Sequence, residues 1–221
     1  MRGNSLPIST ICKIYRVTLH TEALHSMMEI RHLEEIITTV QGRIPRRLVA
    51  VNAVDDHTLE AVNAAVDRGI VRAILTGDRG QIETTCASLG IDPEKFTIED
   101  VAGEEGAARR GVELITEGKA DLMMKGLLST DKYMKAILNK DFGLLPPKGV
   151  LSHVTVMENP GYHKLLVVGD VAIIPYPDLA QKIVMTGYLI RTAQALGIEK
   201  PKVALIAATE QVLTAIPACT E

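Results

Sequence analysis

The chain has 221 residues, enough for one large or two modest domains with a real core, and its apolar content of 47% includes only 3% aromatics. Such a core must be aliphatic, which suits buried parallel strands covered by helices. A net charge of −3 points to no nucleic acid or anionic membrane as partner. No apolar run reaches the ~18 residues that a membrane span needs.

Three cysteines, Cys12, Cys86 and Cys219, lie far apart with no CxxC pair. That pattern argues against a disulfide framework and for a reducing, cytoplasmic compartment. Residues 1–26 mix apolar and basic side chains without a period. Lys13 and Arg16 interrupt any signal-like apolar stretch. This segment reads as a poorly ordered extension, with Met27-Met28 as a plausible start of the folded chain.

From there helices and strands alternate. Ile30, Leu33, Ile37 and Val40 recur at helical spacing up to Gly42. Leu48 to Val51 reads as a buried strand. A helix is predicted over 57–68, with Leu59, Val62 and Val66 on one face and Gly69 at its end. Ala73-Ile74-Leu75 is the next strand, and Gly77-Asp78 the turn after it. Helices over 81–89, 104–117 and 130–138 then alternate with strands over 96–100 and 121–124. Four strands alternating with helices predict a parallel sheet with helices on both faces, a three-layer αβα domain over 27–148.

Pro146-Pro147-Lys148-Gly149 is the best domain boundary. Beyond it, strand-like runs over 150–157 and 164–168 flank the turn Glu158-Asn159-Pro160-Gly161 and suggest a hairpin. Val171 to Ile174 could add a strand. Asp178 caps a long helix whose face is Leu179, Ile183, Ile190 and Ala193, ended by Gly197. A strand is predicted over 202–207. The second α/β domain, 149–221, therefore reads as incomplete, with one good helix for three or four strands.

The stretch richest in chemistry is Asp121-Leu122-Met123-Met124-Lys125-Gly126-Leu127-Leu128-Ser129-Thr130. A buried strand runs into Lys-Gly and then into Ser-Thr at a helix start. In open α/β sheets ligands bind at the carboxyl ends of strands, and a helix N-terminus offers free N–H groups to an anion. Gly126 permits close backbone approach, Lys125 adds charge, and Ser129 and Thr130 add hydroxyls. The alternative is that Ser129 or Thr130 only caps the helix. The loop is not a Walker A loop, and no GxGxxG occurs. Thr76-Gly77-Asp78-Arg79-Gly80 follows a strand in the same way and serves as a connector or a second phosphate contact. Ser152 and His153 are strand neighbours on opposite faces and cannot pair as nucleophile and base. Either could line a cleft. Asp170, at a strand end, orients a ligand or caps a turn. No histidine has metal-ligand spacing.

Taken in order, 118–130, Gly149-Val150-Leu151-Ser152-His153-Val154, Pro177-Asp178-Leu179-Ala180-Gln181-Lys182 and 196–204 resemble the phosphate acetyl/butyryltransferase family. The Met-Lys-Gly form and the Gly161-Tyr162 turn resemble its butyryl branch. The resemblance implies two α/β domains around a cleft, a homodimer or higher homo-oligomer, and no cofactor. It implies acyl-CoA and phosphate as substrates, joined by direct attack of the CoA thiolate on an acyl phosphate. Lys125, Gly126, Ser129 and Thr130 would contribute to the phosphate side, with Ser152, His153 and Asp170 nearby. It also implies that the family pattern runs on past Glu221, where the groups credited with catalysis would lie. Many relatives carry Thr-Asp where this chain has Gly169-Asp170, and Asn in place of Ile174.

Overall fold

A computed structural model describes residues 29–207, 209–216 and 219. The expected extension over 1–26 lies outside these residues. The described chain forms two compact units, one of residues 37–149 and one of residues 29–36 together with those from 150 on.

The first unit is built on β1 (Arg46–Val51), β2 (Val71–Gly77), β3 (Thr97–Asp100) and β4 (Leu122–Lys125), all parallel, in the order β3-β2-β1-β4. Side chains alternate across the sheet, so each face has its own core. Leu48 and Ala50 of β1 and Ala73 and Leu75 of β2 point to one face. There they meet Leu59 and Val62 of α2 (Asp56–Asp67) and Ile82 and Cys86 of α3 (Arg79–Leu89). Val49 and Val51 point to the other face, against Ala107, Val112 and Leu114 of α4 (Glu104–Thr116). The α5 helix (Thr130–Ile137) packs on α4 through Ala136. Burial raises the Cys86 thiol pKa, with a smaller push from Glu83.

Close packing depends on small residues. Gly111 of α4 sits where a Cβ would lie 2.6 Å from a Val51 methyl carbon, so the helix can approach the sheet only at glycine. At the other end of β1, Arg47 donates from its guanidinium to both carboxylate oxygens of Asp121, at 3.0 and 2.7 Å. That pairing holds the Asp121 pKa down at about 2 and ties the starts of β1 and β4 together.

The second unit holds an antiparallel pair, β5 (Thr155–Met157) and β6 (Leu166–Val168), and α6 (Leu179–Ala195). Leu165 and Leu196 form its small core with Ile30, flanked by Val156 and Val167. The hairpin expected from the Asn-Pro-Gly turn is present, though its strands are shorter than the apolar runs. The α6 start is fixed by a capping box: Asp178 accepts from the Gln181 N–H, and the Gln181 side chain accepts from the Asp178 N–H.

Several sequence expectations fail in this unit. The strand over 202–207 does not form, nor does one over 171–174, because among the described residues no strand lies beside either run. Leu179 and Ile183 are exposed, and the buried stripe of α6 is Met185 and Ala193, continued by Leu196. The apolar residues of this helix lie all round it, so periodicity alone could not choose the inner face. Near the chain start, α1 (Leu33–Val40) begins later than Ile30 suggested, and it carries no buried residue. The carboxylate of Glu158 accepts from the Leu33 N–H and meets Nδ1 of His32 at 2.7 Å. The His32 pKa is raised as a result, first by that hydrogen bond and then by the Glu158 charge.

Candidate functional site

The strand order sets the place. The chain moves outward from β1 to β2 and β3, then returns across the sheet to lay β4 on the other side of β1. Between β1 and β4 the direction of winding reverses. In open parallel sheets this switch point leaves a crevice outside the carboxyl ends of the two strands. Those ends are Val51-Asn52 and Lys125-Gly126.

The turn after β4 is bound tightly to the end of β1. Gly126 donates its N–H to the Val51 carbonyl at 2.9 Å, and Leu127 donates to the Asn52 carbonyl at 3.0 Å. A Cβ on Gly126 would lie 2.5 Å from the Val51 oxygen and 2.7 Å from the Asn52 oxygen. Asn52 has a positive φ of 53°, and its side-chain amide donates to the Leu127 carbonyl. Its own N–H points to Thr76 Oγ1 at 3.4 Å, and that hydroxyl donates to the Ala107 carbonyl. Asn52 and Thr76 thus join β1, β2, α4 and the β4 turn. Sequence reading missed Asn52 and placed Thr76 only in the turn after β2; the available signal for Asn52 was an Asn directly after a buried strand, a residue type that tolerates φ > 0.

The turn lines an open depression of about 340 Å³, which Lys125, Ser129, Glu104 and Lys132 also border. Lys125 is exposed and pairs with no carboxylate among the described residues; its ammonium lies 3.5 Å from the Gly126 carbonyl. Ser129 is the N-cap of α5, its hydroxyl oxygen accepting from the Lys132 N–H at 3.2 Å. The donors differ from a simple amide cradle. The N–H groups of Gly126, Leu127 and Leu128 go to backbone carbonyls, and that of Ser129 goes to Glu104 at 3.3 Å. They are used because the turn has to anchor β4 to β1. Those of Thr130 and Asp131, at the first turn of α5, have no hydrogen-bond partner among the described residues. An anion in this depression would therefore meet the Lys125 ammonium and the Ser129 hydroxyl, with Lys132 and Glu104 on its border.

The Thr76–Gly80 turn also ends in a helix cap, with Asp78 accepting from the Gln81 N–H at 2.8 Å. Arg79 is drawn off to the Ile98 carbonyl and Glu83, which fits the connector reading of this turn.

In the second unit Asp170 gathers the other candidates. One carboxylate oxygen accepts from the Ser152 hydroxyl and the His153 N–H, both at 2.9 Å. The second accepts from the N–H groups of Ala172 and Ile173 at 2.8 and 2.7 Å. Ser152 and His153 lie before β5, not within a strand. Their side chains do not pair with each other: His153 Nδ1 lies 3.1 Å from Thr155 Oγ1. Partial burial pushes the Asp170 pKa up. The N–H groups of Ile173, Ala172 and His153, with the Ser152 hydroxyl, outweigh it and hold the carboxyl well below its ordinary value of 3.8.

A group whose folded-state pKa is depressed stabilises the fold above its unfolded value and loses that contribution as pH falls through the folded value. Replacing Asp170 by Asn should cost about 2 kcal/mol near neutral pH, the scale of lost charge-assisted hydrogen bonds. In urea unfolding the gap between the two proteins should stay constant down to pH ~5 and narrow below pH ~4. A gap that widens on acidification would assign the stabilisation elsewhere.

Among the described residues no group of three or more His, Cys, Asp or Glu could hold a metal ion, and no helix is long and apolar enough to cross a membrane.

A family model described as phosphate acetyl/butaryl transferase matches residues 104–215, from the start of α4 to beyond α6. The chain belongs to this family. Phosphate butyryltransferase of Clostridium acetobutylicum is 38% identical over 188 residues, covering 85% of this chain and 62% of that protein. Phosphate acetyltransferase of Thermotoga maritima is 32% identical, over 86% of this chain and 63% of its own length. A solved structure of a branched-chain phosphotransacylase from Enterococcus faecalis V583 superposes with a TM-score of 0.65 at 23% identity. It covers 78% of this chain and 60% of that one, and this likeness bears on the fold alone. The chain spans about three fifths of the length of the curated relatives it matches. The region matched by the family model contains β4, Lys125 and α5.

Proposed function

We propose that the chain belongs to an acyltransferase that moves a short acyl group, butyryl or similar, between coenzyme A and inorganic phosphate. The observation that carries this reading is the Lys125 ammonium, in no ion pair among the described residues, bordering one depression with the Ser129 cap of α5 at the switch point of a sheet from a phosphate acyltransferase family. In the forward step the CoA thiolate attacks the carbonyl carbon of an acyl phosphate. A C–S bond forms, the acyl C–O bond to phosphate breaks, and the thiol proton leaves with the phosphate or a base. A thiol of ordinary pKa of about 8.5 needs help to lose that proton near neutrality. The leaving phosphate carries the charge that Lys125 meets, so this lysine would stabilise the departing group as well as the bound one. Gly126 and Ser129 shape the turn, and Thr130 adds a hydroxyl. Ser152, His153 and Asp170 form a second polar cluster for substrate binding, with Asp170 fixing the other two. No cofactor is called for, CoA being a substrate. The enzyme would act in the cytoplasm as a homodimer or larger homo-oligomer. The butyryl preference draws on the 38% and 34% identities to two clostridial phosphate butyryltransferases.

The test is thiol release from acetyl-, propionyl- and butyryl-CoA with and without phosphate. Phosphate-dependent release, fastest with butyryl-CoA, is expected. Fastest release with acetyl-CoA would reassign the acyl group. Release with none of them, from folded protein that still binds phosphate, would reduce the chain to a CoA- or phosphate-binding module.

A further inference from the structure

One charged group at the depression has no part in the reading above. Glu104 is the first residue of α4, and the cap residue before it, Gly103, makes no side-chain hydrogen bond. Acidic side chains at a helix start ordinarily serve the free N–H groups of their own helix. Glu104 instead reaches α5. Its Oε2 accepts from the Ser129 N–H at 3.3 Å and meets Lys132 Nζ at 3.1 Å. These contacts lower its pKa, Lys132 most and the Ser129 N–H next, with Lys125 adding a weaker pull. A carboxylate therefore sits on two donors that face the same depression as Lys125.

We infer that Glu104 is an internal counter-anion of the phosphate site: its carboxylate holds the Ser129 N–H and the Lys132 ammonium, and phosphate gains both donors by displacing it. This inference rests on the proposed phosphate-binding role of the Lys125 turn. Carboxylate and phosphate are both anionic and compete for the same cation and amide, so they cannot share them without repulsion. The exchange sets a threshold. A strongly charged oxyanion such as phosphate can displace the carboxylate, whereas a weakly charged one leaves it in place. Glu104 thus tunes the affinity and anion selectivity of the site without touching the reacting atoms.

The experiment is equilibrium dialysis of the 221-residue chain with labelled inorganic phosphate at neutral pH and fixed ionic strength. It compares the wild type with Glu104→Gln, Glu104→Ala and Lys125→Ala, each checked for fold by circular dichroism. Both Glu104 variants should bind phosphate about tenfold tighter, ~1.4 kcal/mol. The Ser129 amide resonance should respond to correspondingly lower phosphate in Glu104→Gln than in the wild type. A carboxylate that merely braced the turn would give the opposite sign, with weaker binding in both variants. Wild-type binding that Lys125→Ala weakens, together with unchanged or weaker binding in the Glu104 variants, would overturn this inference alone. Failure of the wild type to bind phosphate at all would overturn the phosphate-site reading and the inference with it.

Discussion

Replacing Gly126 by alanine should destabilise the protein by about 3 kcal/mol and lower its melting temperature by roughly 6–12 °C. The added methyl would lie 2.5 Å from the Val51 carbonyl oxygen and 2.7 Å from that of Asn52. Neither oxygen can withdraw cheaply. The first accepts the Gly126 N–H and the second the Leu127 N–H, so relief of the clash breaks the bonds that hold the turn. Such breakage leaves backbone groups near the end of a buried strand without partners, which adds to the cost. The turn would lift away from β1 and carry Lys125 with it. Phosphate binding should therefore fall together with stability. An alanine variant with an unchanged melting temperature would mean that the two strand ends are not locked as described.

Replacing Lys125 by alanine should separate binding from folding. The side chain is exposed and makes no ion pair among the described residues, so its loss should change stability by under ~0.5 kcal/mol. Its ammonium is the least encumbered cation of the depression, and a charge-assisted hydrogen bond contributes about 1.5–3 kcal/mol. The dissociation constant for phosphate should rise at least about tenfold. Arginine at this position should restore part of the affinity, since the charge returns with a different shape. A large loss of stability with unchanged phosphate binding would reverse the assignment and make Lys125 a structural residue.

The parallel sheet was legible because its strands are short aliphatic runs alternating with capped helices. Leu48 to Val51 and Ala73 to Leu75 have no other stable place than between two helix layers. Turn positions were legible too, because Asp78, Ser129 and Asp178 each cap a helix through a short side chain. The second unit was harder. Residues 202–207 are apolar enough for a strand, but strands exist only in pairs, and pairing is a property of the whole fold. The α6 helix is apolar on several sides, so Leu179 and Ile183 could not be told from Met185 by spacing.

At the candidate site, sequence proximity showed Lys125, Gly126, Ser129 and Thr130, which lie in one run. It could not show Asn52 and Glu104, which reach the same turn from the end of β1 and the start of α4. Nor could it show how the amides are used. The N–H groups of Gly126 and Leu127 look available in the sequence and are engaged in the fold, because the neighbour that takes them, the end of β1, lies over 70 residues earlier. Asp170 was recognised as an acid at a strand end, but its grip on Ser152 and His153 depends on a loop geometry that no local pattern encodes.

The most direct measurement is the binding isotherm of inorganic phosphate to the wild-type chain beside that of Lys125→Ala. A saturable one-to-one isotherm, weakened at least about tenfold by the substitution while the melting curve stays in place, is the predicted result. Superimposable isotherms for the two proteins, or none that saturates, would contradict it.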